Sequence, residues 1–152
     1  MALTYFLDVD GDPVAAADSY AEFDKIDILL EWSPLWRSLD TTRKERMVKM
    51  ATQHLDAAFH YSGERISDDT AEQTLEFPRD FGVTDEPGVT NHFSIAEQKR
   101  RLLSSVRHII DKSLTRLGAN ISEYQGDGEL IRQLQEHTPR EVLQLLAPYV
   151  AK

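Results

Sequence analysis

The sequence predicts an all-α fold, a small helical bundle of about four to five helices with a long central loop and a short N-terminal arm. Apolar side chains recur at helical spacing in three long segments. Each of these segments begins with Ser or Thr followed three residues later by Glu, the spacing of a capping box. This periodicity is lost over residues 60–93, which contain three glycines and two prolines. These residues are therefore predicted to form the long loop.

The N-terminal arm, residues 1–18, alternates weakly between apolar and polar side chains and turns at residues 10–13, which favours a short strand. The first helix is predicted to begin at Ser19 and to end near Trp32, because a residue before proline is disfavoured in helices. Both tryptophans, Trp32 and Trp36, are interpreted as core residues. The second helix is predicted from Thr41 or Thr42 to residue 59.

The third helix is the longest, from the capping box at Ser94 to a stop at Gly118. Shorter helices are expected over residues 129–136 and after the Thr138 capping box, through Tyr149. The chain is divided into an arm (1–18), a helical core (19–118, with the loop at 60–93) and a C-terminal helical extension (119–152). Helices one to three are expected to make the core.

The composition indicates one globular domain: 152 residues, 41% hydrophobic and 28% charged. No segment approaches the length of a membrane span, and residues 1–12 lack the features of a signal peptide, so we expect a chain that stays in the cytoplasm. The net charge is −9, which opposes general attraction to a polyphosphate. Residues 99–116 are the exception, with +5 against −14 for the remainder.

No motif for catalysis, a cofactor or a metal is found, so the sequence predicts a protein that is not an enzyme and uses no cofactor. Cysteine is absent, which excludes thiolate nucleophiles and disulfides. Asp8, Asp10 and Asp12 alternate like calcium ligands, but Pro13 and Ser19 stand where an EF-hand needs Gly and Glu, which favours a solvated acidic turn. The five histidines lack the i, i+4 spacing of a zinc pair and are interpreted as surface residues.

The cations of residues 99–116 lie beside the apolar arc of the third helix, as on any solvated helix face. Alternatively, this basic face meets acidic surface on a neighbouring copy or a partner. DNA contact is the remaining possibility, although no aromatic side chains are interleaved to stack bases. The candidate subunit or partner contacts are Arg100, Arg101, Arg107 and Lys112, together with Arg65 and Arg79 of the long loop. Phe77-Pro78 is interpreted as an anchor that holds this loop on the bundle.

Several short motifs follow one another in the first half of the chain, namely D-S-Y at Asp18–Tyr20, A-T-x-x-L-D at Ala51–Asp56, G-x-R at Gly63–Arg65 and L-x-F-P-R at Leu75–Arg79. Their order and spacing resemble those of the head–tail connector proteins of tailed phages, also called head-completion or adaptor proteins. The resemblance covers residue 17 to about residue 83. Sequences of this group also carry the label DnaT-like single-stranded DNA-binding protein.

The resemblance implies a structural virion protein without catalysis. Such a protein is made in the host cytoplasm and forms a ring of commonly twelve copies beneath the portal protein. It docks the next neck or tail-completion protein, and genomic DNA passes through its lumen without tight binding. The alternative is a single-stranded DNA-binding accessory protein of phage DNA metabolism, and an unspecified helical interaction module is the third hypothesis.

Overall fold

The computed structural model describes residues 3–67, 69, 72–82, 92–117, 132, 134 and 137–151. These residues form α1 (Phe23–Leu30), α2 (Pro34–Ser38), α3 (Thr41–Ala58), α4 (Ile95–Leu117) and α5 (Arg140–Leu146), and α5 continues into a 3-10 turn, Ala147–Tyr149. Strands β1 (Glu64–Arg65) and β2 (Arg79–Asp80) pair antiparallel. The mostly helical prediction is confirmed, with this small strand pair as an addition. Among the helices described, none is both long and apolar enough to cross a membrane.

Helix α4 lies at the centre of the fold, in contact with α1, α3 and α5. Its apolar arc is buried, and the fully or almost fully buried members are Leu102, Val106, Ile109, Ile110 and Leu114. Val142 and Leu146 of α5 and Tyr149 of the 3-10 turn are fully buried as well. The core therefore includes the C-terminal segment in addition to the three long helices.

Only one of the four expected capping boxes caps its helix. Ser94 Oγ accepts the N–H of Glu97 at 3.2 Å, as predicted. The prediction for α3 is wrong, because Asp40 is the N-cap and its carboxylate accepts the N–H of Arg43 at 2.8 Å. The capping boxes predicted for α1 and α5 are also wrong. Ser19 Oγ accepts the N–H of Ala21 before α1 begins, and the Thr138 hydroxyl is hydrogen-bonded to His54. A tertiary partner therefore takes the hydroxyl of Thr138, and a local turn takes that of Ser19.

The sequence analysis did not predict α2. Ser33 caps this helix by accepting the N–H of Trp36 at 3.2 Å, and Pro34 occupies its first turn. Trp36 is fully buried, as expected, and its indole donates to Asp27 at 2.8 Å. The interpretation of Trp32 as a core residue is wrong, because 51% of its surface is exposed.

The described part of the long loop, up to residue 82, is held against the helices. Phe77 is fully buried and packs on Tyr20, Tyr61 and Tyr149, so its interpretation as an anchor is confirmed. The peptide bond between Phe77 and Pro78 is cis. Residues 83–91, the predicted stop at Gly118 and most of the helix predicted over residues 129–136 lie outside the described residues.

Candidate functional site

A partly buried polar cluster of Tyr20, Asp56, Glu76 and Arg79 lies where the loop meets α3. The Tyr20 hydroxyl donates a hydrogen bond to Asp56 Oδ1 and accepts one from the N–H of Phe77 at 3.2 Å. Asp56 Oδ2 accepts the N–H of Glu76 at 3.3 Å. The cluster therefore joins the segment before α1, the last turn of α3 and the loop.

Burial sets the protonation behaviour of this polar cluster. Loss of solvation raises the pKa of Asp56 to about 6, although the hydrogen bonds from Tyr20 and from the N–H of Glu76 act in the opposite direction. Burial, reinforced by the neighbouring Asp56 charge, also raises the pKa of Tyr20 well above its ordinary value. Tyr20 is therefore a hydrogen-bond donor at neutral pH.

Arg79 completes the polar cluster and is only 7% exposed. Its Nη1 donates to Glu76 Oε2 at 2.8 Å, Nε to Ser62 O at 2.9 Å and Nη2 to Gly63 O at 3.0 Å. The backbone of Arg79 exchanges two hydrogen bonds with the buried amide of Gln98 on α4. These hydrogen bonds occupy the guanidinium within the chain, so Arg79 is not suited to contact a partner.

The short motifs of the sequence analysis converge on this polar cluster. D-S-Y supplies Tyr20, A-T-x-x-L-D supplies Thr52 and Asp56, and L-x-F-P-R supplies Phe77 and Arg79. In G-x-R, Gly63 adopts φ +69° and a Cβ there would lie 2.4 Å from Asp80 O, so only glycine fits. Arg65 donates to Gln73 O at 3.3 Å. The contacts of the motif residues account for the shape of the loop.

The basic face of α4 is largely paired within the chain. Glu97 accepts hydrogen bonds from both Arg100 and Arg101, each at about 3 Å, and Arg100 is the main cause of its pKa of about 2. Arg101 Nη1 also donates to Leu145 O at 2.8 Å, and Lys112 lies 3.5 Å from Glu141. Four of the candidate contact residues lie on α4, namely Arg100, Arg101, Arg107 and Lys112. Arg65 lies apart from them, in the loop.

A second group of exposed side chains, apolar and basic, lies along residues 28–46 and includes Trp32, and we call it the Trp32 surface. Ile28, one turn earlier on α1, is 65% exposed. Exposed arginines follow on α2 and on the first turns of α3, namely Arg37, Arg43 and Arg46. Lys44 of α3 lies with its Nζ 3.0 Å from Asp27 of α1 and 5.4 Å from the centre of the Trp36 ring of α2. These two contacts hold the start of α3 beside α1 and α2.

A comparison with known protein families matches residues 6–98 of the chain to a family model. That family is described as "Putative DnaT-like ssDNA binding protein". The chain belongs to this DnaT-like family. No curated protein and no solved structure matches the chain.

The span of the DnaT-like match separates the two charged surfaces. It contains the polar cluster and the whole Trp32 surface. It ends at residue 98, within the first turn of α4, so Arg100, Arg101, Arg107 and Lys112 lie outside it. A property shared through this family is therefore expected in the first two thirds of the chain.

The Asp8, Asp10 and Asp12 carboxylates lie within 4.8 Å of one another on the exposed arm. Asp8 Oδ1 accepts the N–H groups of Asp10 and Asp12, which describes a turn closed by its own side chain. His54 corrects the interpretation of the histidines as surface residues. It is 8% exposed and its Nε2 lies 2.7 Å from Thr138 Oγ1.

The exposure of Ile28 and Trp32 was not predicted, although the spacing of the apolar residues on α1 indicates it. Ile26 and Leu30 are the buried residues of α1. Ile28 follows Ile26 by two positions and Trp32 follows Leu30 by two positions, and a step of two residues leads to the opposite side of a helix. That spacing places Ile28 and Trp32 together, away from the core.

Proposed function

We propose that this protein binds single-stranded DNA and has no catalytic role. The observation that carries the proposal is membership of the DnaT-like family over residues 6–98. In the sequence analysis this function was the alternative to a phage connector. Because the net charge is −9, attraction to phosphates must come from a local group of cations.

Such a group lies inside the family match. Residues 37–49 contain five basic and two acidic side chains, a net charge of +3 in an acidic chain. One of the two acids, Glu45, is buried. The basic face of α4 lies outside this match, which ends at residue 98.

Fluorescence anisotropy with a labelled oligothymidylate tests this function. We expect saturable binding to the single strand, weaker binding to a duplex of the same length, and an affinity that falls steeply with salt concentration. Binding that is absent at low salt would contradict the proposal. A charge-matched acidic protein of similar size is the control for non-specific adsorption.

A second candidate is a head–tail connector of a tailed phage, and the charge distribution favours it. The basic face of α4 is largely paired internally and the whole chain carries −9, so a ring of copies can present a lumen that does not hold DNA. In this candidate function the protein forms a ring, of about twelve copies by resemblance, between the portal protein and the next neck or tail-completion protein. Its location is the virion.

The connector candidate is tested by quantitative mass spectrometry of purified particles from the phage or prophage that encodes the chain. A copy number equal to that of the portal protein would support a neck ring, and absence from particles would exclude it. Charge reversal at Arg100, Arg101 and Arg107 should impair incorporation. Circular dichroism must show that this variant is folded, because Arg101 also bonds Glu97 and Leu145 O within the chain. Binding to free single-stranded DNA together with absence from particles would favour the first function.

A further inference from the structure

We infer that the Trp32 surface is the site where single-stranded DNA binds, with a base stacked on the Trp32 indole and the flanking phosphates held by Arg37, Arg43 and Arg46. This inference rests on the proposed DNA-binding function and assigns it to particular side chains. The ligand is a short single-stranded segment, because the bases of a duplex are already stacked and cannot cover an isolated indole.

The exposure of Trp32 is the first observation. A large aromatic side chain is normally buried, and the other tryptophan of this chain is fully buried. Trp32 instead lies just beyond the C-terminal end of α1, 51% exposed, with the exposed Ile28 one turn away on the same face. An exposed ring next to an apolar side chain offers a base both a stacking partner and an apolar edge.

The cations are the second observation. Arg37 lies in the last turn of α2, and Arg43 and Arg46 lie three residues apart, on one side of α3. All three arginines are exposed. Contacts of Lys44 with Asp27 and with the Trp36 ring join α1, α2 and the start of α3, so these arginines lie on helices that neighbour the one that Trp32 follows. Guanidinium groups bind phosphate in two-pronged geometry and also stack on bases.

Glu31 is an opposing charge next to the indole, and the exposed Asp40 is another between Arg37 and Arg43. Glu31 is exposed and immediately precedes Trp32, so its carboxylate repels an approaching phosphate. Glu31→Gln is therefore expected to strengthen binding and to leave the fold unchanged. A gain of affinity is difficult to produce by damage to the protein, which makes this variant informative.

Anisotropy titrations with oligothymidylate at several salt concentrations provide the test. Trp32→Ala should weaken binding by about 5- to 150-fold, the range expected for one stacked base, and Trp32→Phe by a few-fold. Arg37→Ala should reduce the slope of log affinity against log salt by about 0.7. Since Trp36 is buried, DNA should quench the fluorescence of the wild type, and Trp32→Phe should lose that quenching while it still binds.

Two control variants change exposed side chains elsewhere. Arg100→Ala removes a cation from the basic face of α4, and Val9→Ala removes an apolar side chain that is fully exposed on the arm. Both should bind with the affinity of the wild type. Circular dichroism and the thermal midpoint of every variant verify that it is folded.

The outcomes separate this site from the proposed function. If the wild type binds and Trp32→Ala and Arg37→Ala bind equally well, the site is wrong and the function stands. If the wild type does not bind DNA at all, both are overturned. If Trp32→Ala changes only the sedimentation of the protein, the Trp32 surface is an interface between copies of this chain, and the inference is wrong.

Discussion

Tyr20 donates its hydroxyl hydrogen to the carboxylate of Asp56, which joins the segment before α1 to the last turn of α3. Both side chains belong to motifs that resemble those of phage connectors. Their contacts show that the motifs maintain the position of the loop. The proposed DNA contacts lie on a different surface, where none of those motifs occurs.

Tyr20→Phe should lower the free energy of unfolding by about 1–3 kcal/mol, because it removes the hydrogen-bond partner of Asp56 Oδ1 and of the N–H of Phe77. Urea unfolding measures this change. Tyr5→Phe is the control, since the Tyr5 ring is only partly buried, and it should change the free energy by less than about 0.5 kcal/mol. Equal effects of the two substitutions would show that the hydroxyl of Tyr20 is unimportant.

Asp56 should give the protein a specific pH dependence. Its native pKa of about 6 exceeds the ordinary value of 3.8, so the folded state binds the proton more tightly than the unfolded state. The Asp56 contribution to stability is therefore complete below pH 4 and is lost as the pH rises to about 6, by roughly 3 kcal/mol.

Asp56→Asn removes this titration, although it also changes the bond to the N–H of Glu76. Relative to the wild type, the variant should gain stability between pH 4 and pH 6, and the difference should be constant above about pH 7. Urea unfolding at four pH values from 4 to 7 measures both curves. Parallel curves would mean that Asp56 keeps an ordinary pKa.

Gly63 and Gly82 provide a matched pair in the loop. Both have positive φ, +69° and +71°, but a Cβ at Gly63 would meet Asp80 O at 2.4 Å, whereas a Cβ at Gly82 has nothing within 4 Å. Gly63→Ala should cost about 3 kcal/mol and Gly82→Ala about 1 kcal/mol, which is the backbone cost alone. Thermal unfolding of the two variants tests the close approach of β1 and β2, and equal costs would contradict it.

Glu97 should stabilise the protein only above acidic pH. A hydrogen bond from Arg100, with a smaller contribution from Arg101, holds the pKa of Glu97 at about 2, below the ordinary value of 4.5. The stabilisation is complete above pH 4.5 and is lost as the pH falls through about 2. Glu97→Gln should therefore cost about 0.5–1 kcal/mol at pH 7, as expected for exposed ion pairs, and much less near pH 2.

A double-mutant cycle with Arg100→Ala isolates this pairing. At pH 7 the two substitutions together should cost less than the sum of the single costs, because either one already removes the Glu97–Arg100 contact. Additive effects would show that the carboxylate is stabilised elsewhere.

The sequence by itself determined the long helices, because the period of the apolar residues depends only on helix geometry. Met47, Ala51 and Leu55 of α3 and the apolar arc of α4 are buried as the spacing requires, whereas Ala58 at the end of α3 is exposed. Ser94 caps α4 as predicted because its hydroxyl has no competing tertiary partner among the described contacts. Phe77 was also identified correctly as the anchor of the loop.

The tertiary structure alone decided which polar groups meet. Thr138 bonds His54 instead of capping α5, and Tyr20 bonds Asp56 across 36 residues of chain. The indole of Trp36, on a helix that the apolar spacing did not predict, donates to Asp27 of α1. Such contacts depend on the relative positions of packed helices, which local spacing does not encode.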